Sequence, residues 1–285
     1  MFLKKNIYLV PLFLFVGLNT TAQKKESEFA GNKKYTWEAG VNIGASSIFG
    51  DVKSIPQLSY GLFLSKPFTK WISLNLQYIG TNAKGLNTLS SYNFVKNIAW
   101  SDKYAGPIRQ GNGTIIHGYV SADGTVTPSG DQDVVFYNYK TSISVVSLTG
   151  KFSFSIPKPD PFVSFYCLIG GGIMHYSTKV NTGNANGTYA SLFKDVRDLI
   201  MSTHVSDAMI KQALQDGMDN SYETNAERHK EPAFCQTVGL GISFTVKKRF
   251  VIGIEKSLTF IKTDLLDGQR WQEQAALAAE AATGG

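Results

Sequence analysis

The sequence predicts an all-β chain, an up-and-down transmembrane β-barrel of the eight-stranded type. Seven segments alternate large apolar residues with glycine, serine and threonine, the connections between them run alternately long and short, and an export leader precedes them. The composition agrees: of 285 residues 43% are hydrophobic and 18% charged, with 27 glycines. Mean hydropathy is −0.09, whereas each helical span would need about 20 consecutive apolar residues and raise it. Plentiful aromatic and β-branched residues exclude disorder. The net charge of +6 includes Lys4 and Lys5 of the leader. The other lysines are scattered, which argues against nucleic acid as a partner.

Residues 1–22 have the layout of a signal peptide. Lys4 and Lys5 form the positive n-region, Ile7 to Leu18 the apolar h-region, and Thr20, Thr21 and Ala22 the small-residue cleavage site. The expectation is export to the outer membrane of a Gram-negative-type envelope, with 23–34 as a short periplasmic leader. No cysteine follows the cleavage region, so no lipid anchor is indicated, and Cys167 and Cys235 are too few for a disulfide scaffold.

Seven strands are then expected within residues 35–263. Tyr35 to Gly44 sets Trp37, Ala39, Val41 and Ile43 against Glu38, Gly40, Asn42 and Gly44. Leu58 to Ser65 and Trp71 to Gly80 alternate in the same way. Tyr139 to Ile156 changes parity between Ile143 and Val146, which predicts a bulge near Val145. Pro161 to Val180 carries Gly170, Gly171 and Gly172; Ala233 to Val246 and Val251 to Ile261 complete the set. A soluble sandwich would carry more charge on its polar face. Large residues on one face and small polar ones on the other fit lipid outside and a tight interior.

Connection lengths agree with that reading. Lys66–Lys70, Pro157–Asp160 and Lys247–Phe250 are tight turns, while Phe49–Gln57, about 81–133 and about 181–232 are long. Outer-membrane barrels segregate short periplasmic turns from long extracellular loops in this manner. In the last loop Leu192, Phe193, Val196, Leu199 and Ile200 recur at helical spacing, and Ser206 to Gly217 has the form of a capped second helix. These helices are expected to cap the other long loop, close the mouth or dock a partner. Bacterial barrels of this kind have an even strand count, so an eighth, closing strand should follow. Residues 264–285 form instead an Ala-rich tail that favours helix, and the expectation is a chain truncated or altered after Trp271.

Three stretches carry a resemblance: Glu38 to Val52, with Gly50 and Asp51; Tyr60 to Gly85; and Gly253 to Gly268, with Glu255, Asp264 and Asp267. They resemble an outer-membrane barrel family found with type IX secretion, which includes PorG, and OmpA-like amino-terminal barrels. The resemblance covers the strands and not the two large loops. It implies an outer-membrane barrel with a structural or partner-binding role, or an accessory barrel of a type IX secretion machine. Lipid and lipopolysaccharide are the expected partners, with envelope proteins meeting the 181–232 loop.

Residues able to carry chemistry are few. His117, His175, His204 and His229 lack metal-ligand spacing, and no cofactor is expected. His175 and Ser177 share a strand face, an arrangement similar to that of lipid A deacylases; nucleophilic catalysis would also need an orienting carboxylate, and a rim histidine is the preferred reading. Gly50 and Asp51 read as a turn rather than a calcium site. Alternation points Glu38, Lys151 and Glu255 inward, and Lys151 is expected to bridge Glu38 or Glu255 and plug the lumen; Lys256, aimed at lipid, would change this if a bulge intervened. The reading is therefore non-enzymatic, with a lipid A-modifying hydrolase as the distant alternative.

Overall fold

Antiparallel pairing accounts for nearly all of the architecture. The computed structural model describes residues 7–19, 37–92, 94–95, 97–121, 123–155, 163–202, 205–226, 232–246, 250–261 and 266. Among these, eight long strands make one curled sheet: β1 (Ile7–Asn19), β2 (Glu38–Phe49), β3 (Gln57–Pro67), β4 (Ile72–Leu86), β5 (Asn138–Ser155), β6 (Val163–Val180), β7 (Ala233–Val246) and β8 (Phe250–Ile261). Neighbours in sequence are neighbours in the sheet, and β1 pairs with both β2 and β8. No helix among the described residues is long and apolar enough to cross a membrane.

Alternation decides the faces, because successive strand residues point to opposite sides. One face is apolar and exposed. A single cross-strand row on it reads Val41, Leu62, Tyr78, Val146, Ile173 and Phe234 across six strands, every member exposed. Much of the concave face is polar and buried, with Asn42, Ser65, Asn75, Gln77, Ser147, Thr149, Thr237 and Thr259. Its hydroxyls meet across strands, Ser59 Oγ donating to Thr81 Oγ1 at 3.1 Å and Thr237 sharing a bond with Thr259 at 3.1 Å.

Toward the long connections the same face also carries buried apolar residues: Ile48, Ile79, Ile143, Val145, Met174 and Ile261. This corrects the bulge expected near Val145. The β5–β6 register runs unbroken from Ser155 opposite Ser164 to Lys140 opposite Lys179, and β4 pairs with β5 equally regularly. Polarity changes, not parity. Ile143 and Val145 remain on the concave face because an apolar plug meets them there.

The plug comes from the two long connections. Between β4 and β5 lie α1 (Ile98–Ser101) and a small sheet of Gly106–Arg109, Ile115–Val120 and Val126–Ser129. Between β6 and β7 lie α2 (Ala190–Ser202) and α3 (Asp207–Gly217), the two helices the sequence predicts. Ser206 caps α3, its side chain accepting from the Met209 N–H at 3.4 Å. Phe193 of α2 is fully buried among Trp100, Tyr104, Phe136 and Tyr189, with the Phe136 ring centroid 5.6 Å away. The helices thus cap the first long loop, and one apolar cluster joins them to Ile143, Val145 and Met174 of the sheet.

Polar contacts lock the two loops together. Tyr104 donates to the Thr182 carbonyl at 2.7 Å, and Asn138 and Asn181 exchange hydrogen bonds of 2.9 and 2.7 Å. Burial pushes the Tyr137 phenol up to about 12 while Asn97 donates to its oxygen at 3.0 Å. Hydrogen bonds from Ser221 hold the Asp219 carboxylate below its usual range.

The eighth place in the sheet, empty in the sequence-based reading, is taken by β1, from within the segment expected to be a signal peptide. Its pairing with β8 lapses at Val10 and Pro11, as befits a proline that has no N–H for the ladder. By register Phe13 stands opposite Glu255 and Gly44, and Phe15 opposite Gly253 and Asn42. The tail beyond Leu266, with Asp267 and Trp271, and Asp264 before it, lies outside the described residues.

Two predictions come from these observations. Phe193→Ala removes the centre of the plug and is expected to destabilise the cap by about 3–5 kcal/mol, read as faster protease cleavage within 181–226 while the strands stay intact. Removing residues 1–22 is expected to speed amide exchange in β2 and β8 but not in β5 and β6. Unchanged protection at those two edges would assign the eighth place to another segment.

Candidate functional site

Two places gather polar side chains with few partners of their own. The first lies on the concave face, where β6 and β8 bring Tyr166 to Glu255 across β7. Tyr166 donates to Glu255 Oε2 at 3.0 Å, and Glu255 is buried. Lys151 Nζ lies 4.4 Å from the centroid of the Tyr166 ring, a cation–π distance. Lys151, Tyr166 and Glu255 line a cavity of about 20 Å³ with Asn42, Asn75 and Gln77, room for about one water molecule. Gly241 makes the arrangement possible: a Cβ there would stand 2.2 Å from the Tyr166 ring.

Two of the three charges expected inward therefore meet, with the tyrosine between them. Glu38 has the inward parity too, but it stands at the turn end of β2 opposite Ser65 and does not line this cavity. The β7–β8 register passes Glu255 and Lys256 without a bulge, leaving Glu255 buried and Lys256 exposed on the other face.

The second place is an open cleft of about 400 Å³ on the outer face, where β4, β5 and β6 rise toward the cap. Tyr60, Asn82, Ser142, Ser144, His175 and Ser177 line it. The register explains the grouping: Ser142 stands between Asn82 and Ser177, and Ser144 between Gly80 and His175. Ser142 donates to Asn82 Oδ1 at 2.9 Å, and Tyr78 and Ser144 share a bond at 3.4 Å. His175 and Ser177 are thus together in one cleft. Among the described residues the His175 imidazole makes no hydrogen bond, so no described carboxylate orients the ring.

The remaining expected positions are structural in their surroundings. Gly50 and Asp51 form a bend directly after β2. His117 lies in the strand Ile115–Val120 of the cap, while His204 and His229 fall outside the described residues. Among the described residues no group of three or more His, Cys, Asp or Glu is placed to hold a metal ion.

Sequence reasoning missed Tyr166, Asn82, Ser142 and Ser144. Only cross-strand register brings them to Glu255 or His175, and no spacing along the chain encodes that. No family model matches the chain, and no curated protein is similar to it.

Tyr166→Phe removes the donor to a buried carboxylate and is expected to cost about 1.5–3 kcal/mol of stability. Glu255→Gln combined with Tyr166→Phe is expected to cost less than the two single changes together. Urea unfolding followed by tryptophan fluorescence measures both; strict additivity would show that the pair is not coupled.

Proposed function

We propose that the chain is an outer-membrane β-barrel with a structural or partner-binding role, its interior plugged by side chains and its mouth by the cap. The observation that carries this reading is the exposed apolar face. A row of six large apolar residues lies across β2 to β7, with further rows such as Leu64, Leu76 and Leu148 beside it. In water such a face would drive aggregation, because contiguous apolar patches beyond a few hundred Å² mark an interaction surface. Lipid is the surrounding that it suits.

Three further features support a membrane setting. At the turn end, Trp37, Phe68, Trp71, Phe154, Phe165 and Phe250 are exposed, as in the aromatic belts of membrane interfaces. The Nζ atoms of Lys66 and Lys70 lie over the Trp37 and Trp71 rings, 5.2 and 4.8 Å from the centroids, cation–π contacts within the belt. The polar concave face needs protection from lipid, which closure of the sheet would provide, and the pairing of one strand with both β2 and β8 supports closure. Eight strands leave an interior that side chains fill, so little conduction is expected. Partner binding would fall to the cap, where Met201 and Met209 of the helices are exposed.

The reading predicts a protein that needs detergent for extraction and whose gel migration changes on heating, since a closed hydrogen-bonded barrel resists detergent until heated. Recovery in a soluble periplasmic fraction would overturn it. A tag placed at Gly124 or Gly187, loop glycines at φ +87° and +130° with open space around them, is expected to be reached by antibody on intact cells. Labelling only after the membrane is broken would invert the orientation.

A further inference from the structure

We infer that the outer face of β4, β5 and β6 is a binding site for the headgroup of a phosphorylated glycolipid. The inference rests on the membrane reading above and deepens it. Its first observation is a row of three lysines. Lys84 stands opposite Lys140, and Lys140 opposite Lys179, on adjacent strands and on one face.

Strands in a sheet lie about 4.8 Å apart, and like charges directly opposite one another are destabilising. Among the described residues none of the three has a carboxylate within ion-pair distance; the contact recorded is Lys84 Nζ over the Tyr222 ring at 5.7 Å. The row therefore lacks a counter-charge from the described protein. Phosphate is the chemistry that suits it, since several ammonium groups can share one multiply charged anion.

The second observation is independent of charge: what lies below the row. One step toward the turns, about 7 Å along the strands, come Asn82, Ser142 and Ser177, and a second step brings Gly80, Ser144 and His175. These two rows are the floor of the 400 Å³ cleft. Gly80 contributes no side chain, and the Tyr60 ring, which lines the cleft, packs over it: a Cβ there would stand 2.7 Å from that ring. Hydroxyl, amide and imidazole groups at this spacing suit the hydroxyls and amides of a sugar. A third step reaches Tyr78, Val146 and Ile173, where the apolar face begins.

The order down the strands is thus cation, hydrogen-bonding cleft, apolar wall. A lipid with phosphate, sugar and acyl chains presents the same order from the water inward. A simple phospholipid would meet the cations and the wall but leave the cleft unfilled, and free phosphate would use the cations alone. The glycolipid is the ligand that uses all three.

The test uses the full chain in detergent micelles, with native mass spectrometry as readout. The probes are a bisphosphorylated acylated disaccharide, its dephosphorylated form, phosphatidylglycerol and inorganic phosphate. The expected result is retention of the bisphosphorylated glycolipid at least tenfold above the other three. Changing Lys84, Lys140 and Lys179 together to Gln should abolish that preference, and Ser142→Val with Ser177→Val should weaken glycolipid retention several-fold without creating one for phosphatidylglycerol. Equal retention by the lysine variant, or equal retention of phosphatidylglycerol or the dephosphorylated form, overturns the site; so does competition by inorganic phosphate at matched concentration. Heat-modifiable migration of every variant is the folding control. Its loss in the unaltered chain would instead mark failure of the membrane reading itself.

Discussion

The register between β5 and β6 is the constraint on which most of the molecule depends. Sixteen residue pairs run without interruption from Ser155 opposite Ser164 to Lys140 opposite Lys179. A one-residue slip of β5 would move its whole side-chain set to the other face. Lys151 would leave the concave face, Ile143 and Val145 would leave the plug, and Val146 would turn inward. The glycines of β6 reinforce the choice. A Cβ on Gly170 or Gly172 would stand 2.1–2.2 Å from a carbonyl oxygen of β5, so the two backbones meet more closely than larger residues allow. Register, glycine placement and the two-faced pattern agree, and such agreement is what lets a sequence specify one arrangement.

The concave face carries both polar and apolar stretches, and the way they meet explains what the sequence showed and what it hid. Strand positions, the turn at Lys66–Lys70 and both cap helices were legible, because each depends on periodicity or capping within a short window; Pro157–Asp160 and residues 247–249 lie outside the described residues. The parity change at Ile143 and Val145 is legible too, but a window of sequence alone reads it as a bulge. A local pattern reports that polarity has changed; it does not say whether the chain has turned over or its surroundings have. Here Phe193, Trp100 and Met174 belong to the cluster that receives those side chains. Two of those three residues come from distant loops, which is why no window around Val145 contained the answer.

The candidate sites were legible only in fragments for the same reason. Alternation placed Glu255 and Lys151 on the concave face, and put His175 and Ser177 together on one face of their strand. It did not supply Tyr166, the group through which lysine and carboxylate meet, because Tyr166 and Glu255 are 89 positions apart. Nor could it join Lys84, Lys140 and Lys179, each of which reads alone as an ordinary charge near a strand end. The leader is the opposite case. Its uninterrupted apolar run carries no alternation, so nothing in it announces a strand, yet it lies between β2 and β8.

Around Glu255 the concave face is small or hydrogen-bonded: Gly44 and Gly253 opposite β1, Ser257 and Thr259 on β8, and the Glu255 carboxylate held by Tyr166. In the register of β1, Phe13 is the position opposite Glu255 and Pro11 the one opposite Ser46, where the ladder to β8 also lapses. Pairing in the sheet and fit to its concave face are separate requirements. The ladder accepts any residue that brings an N–H and a carbonyl, whereas the face that β2 to β8 share accepts a narrow set.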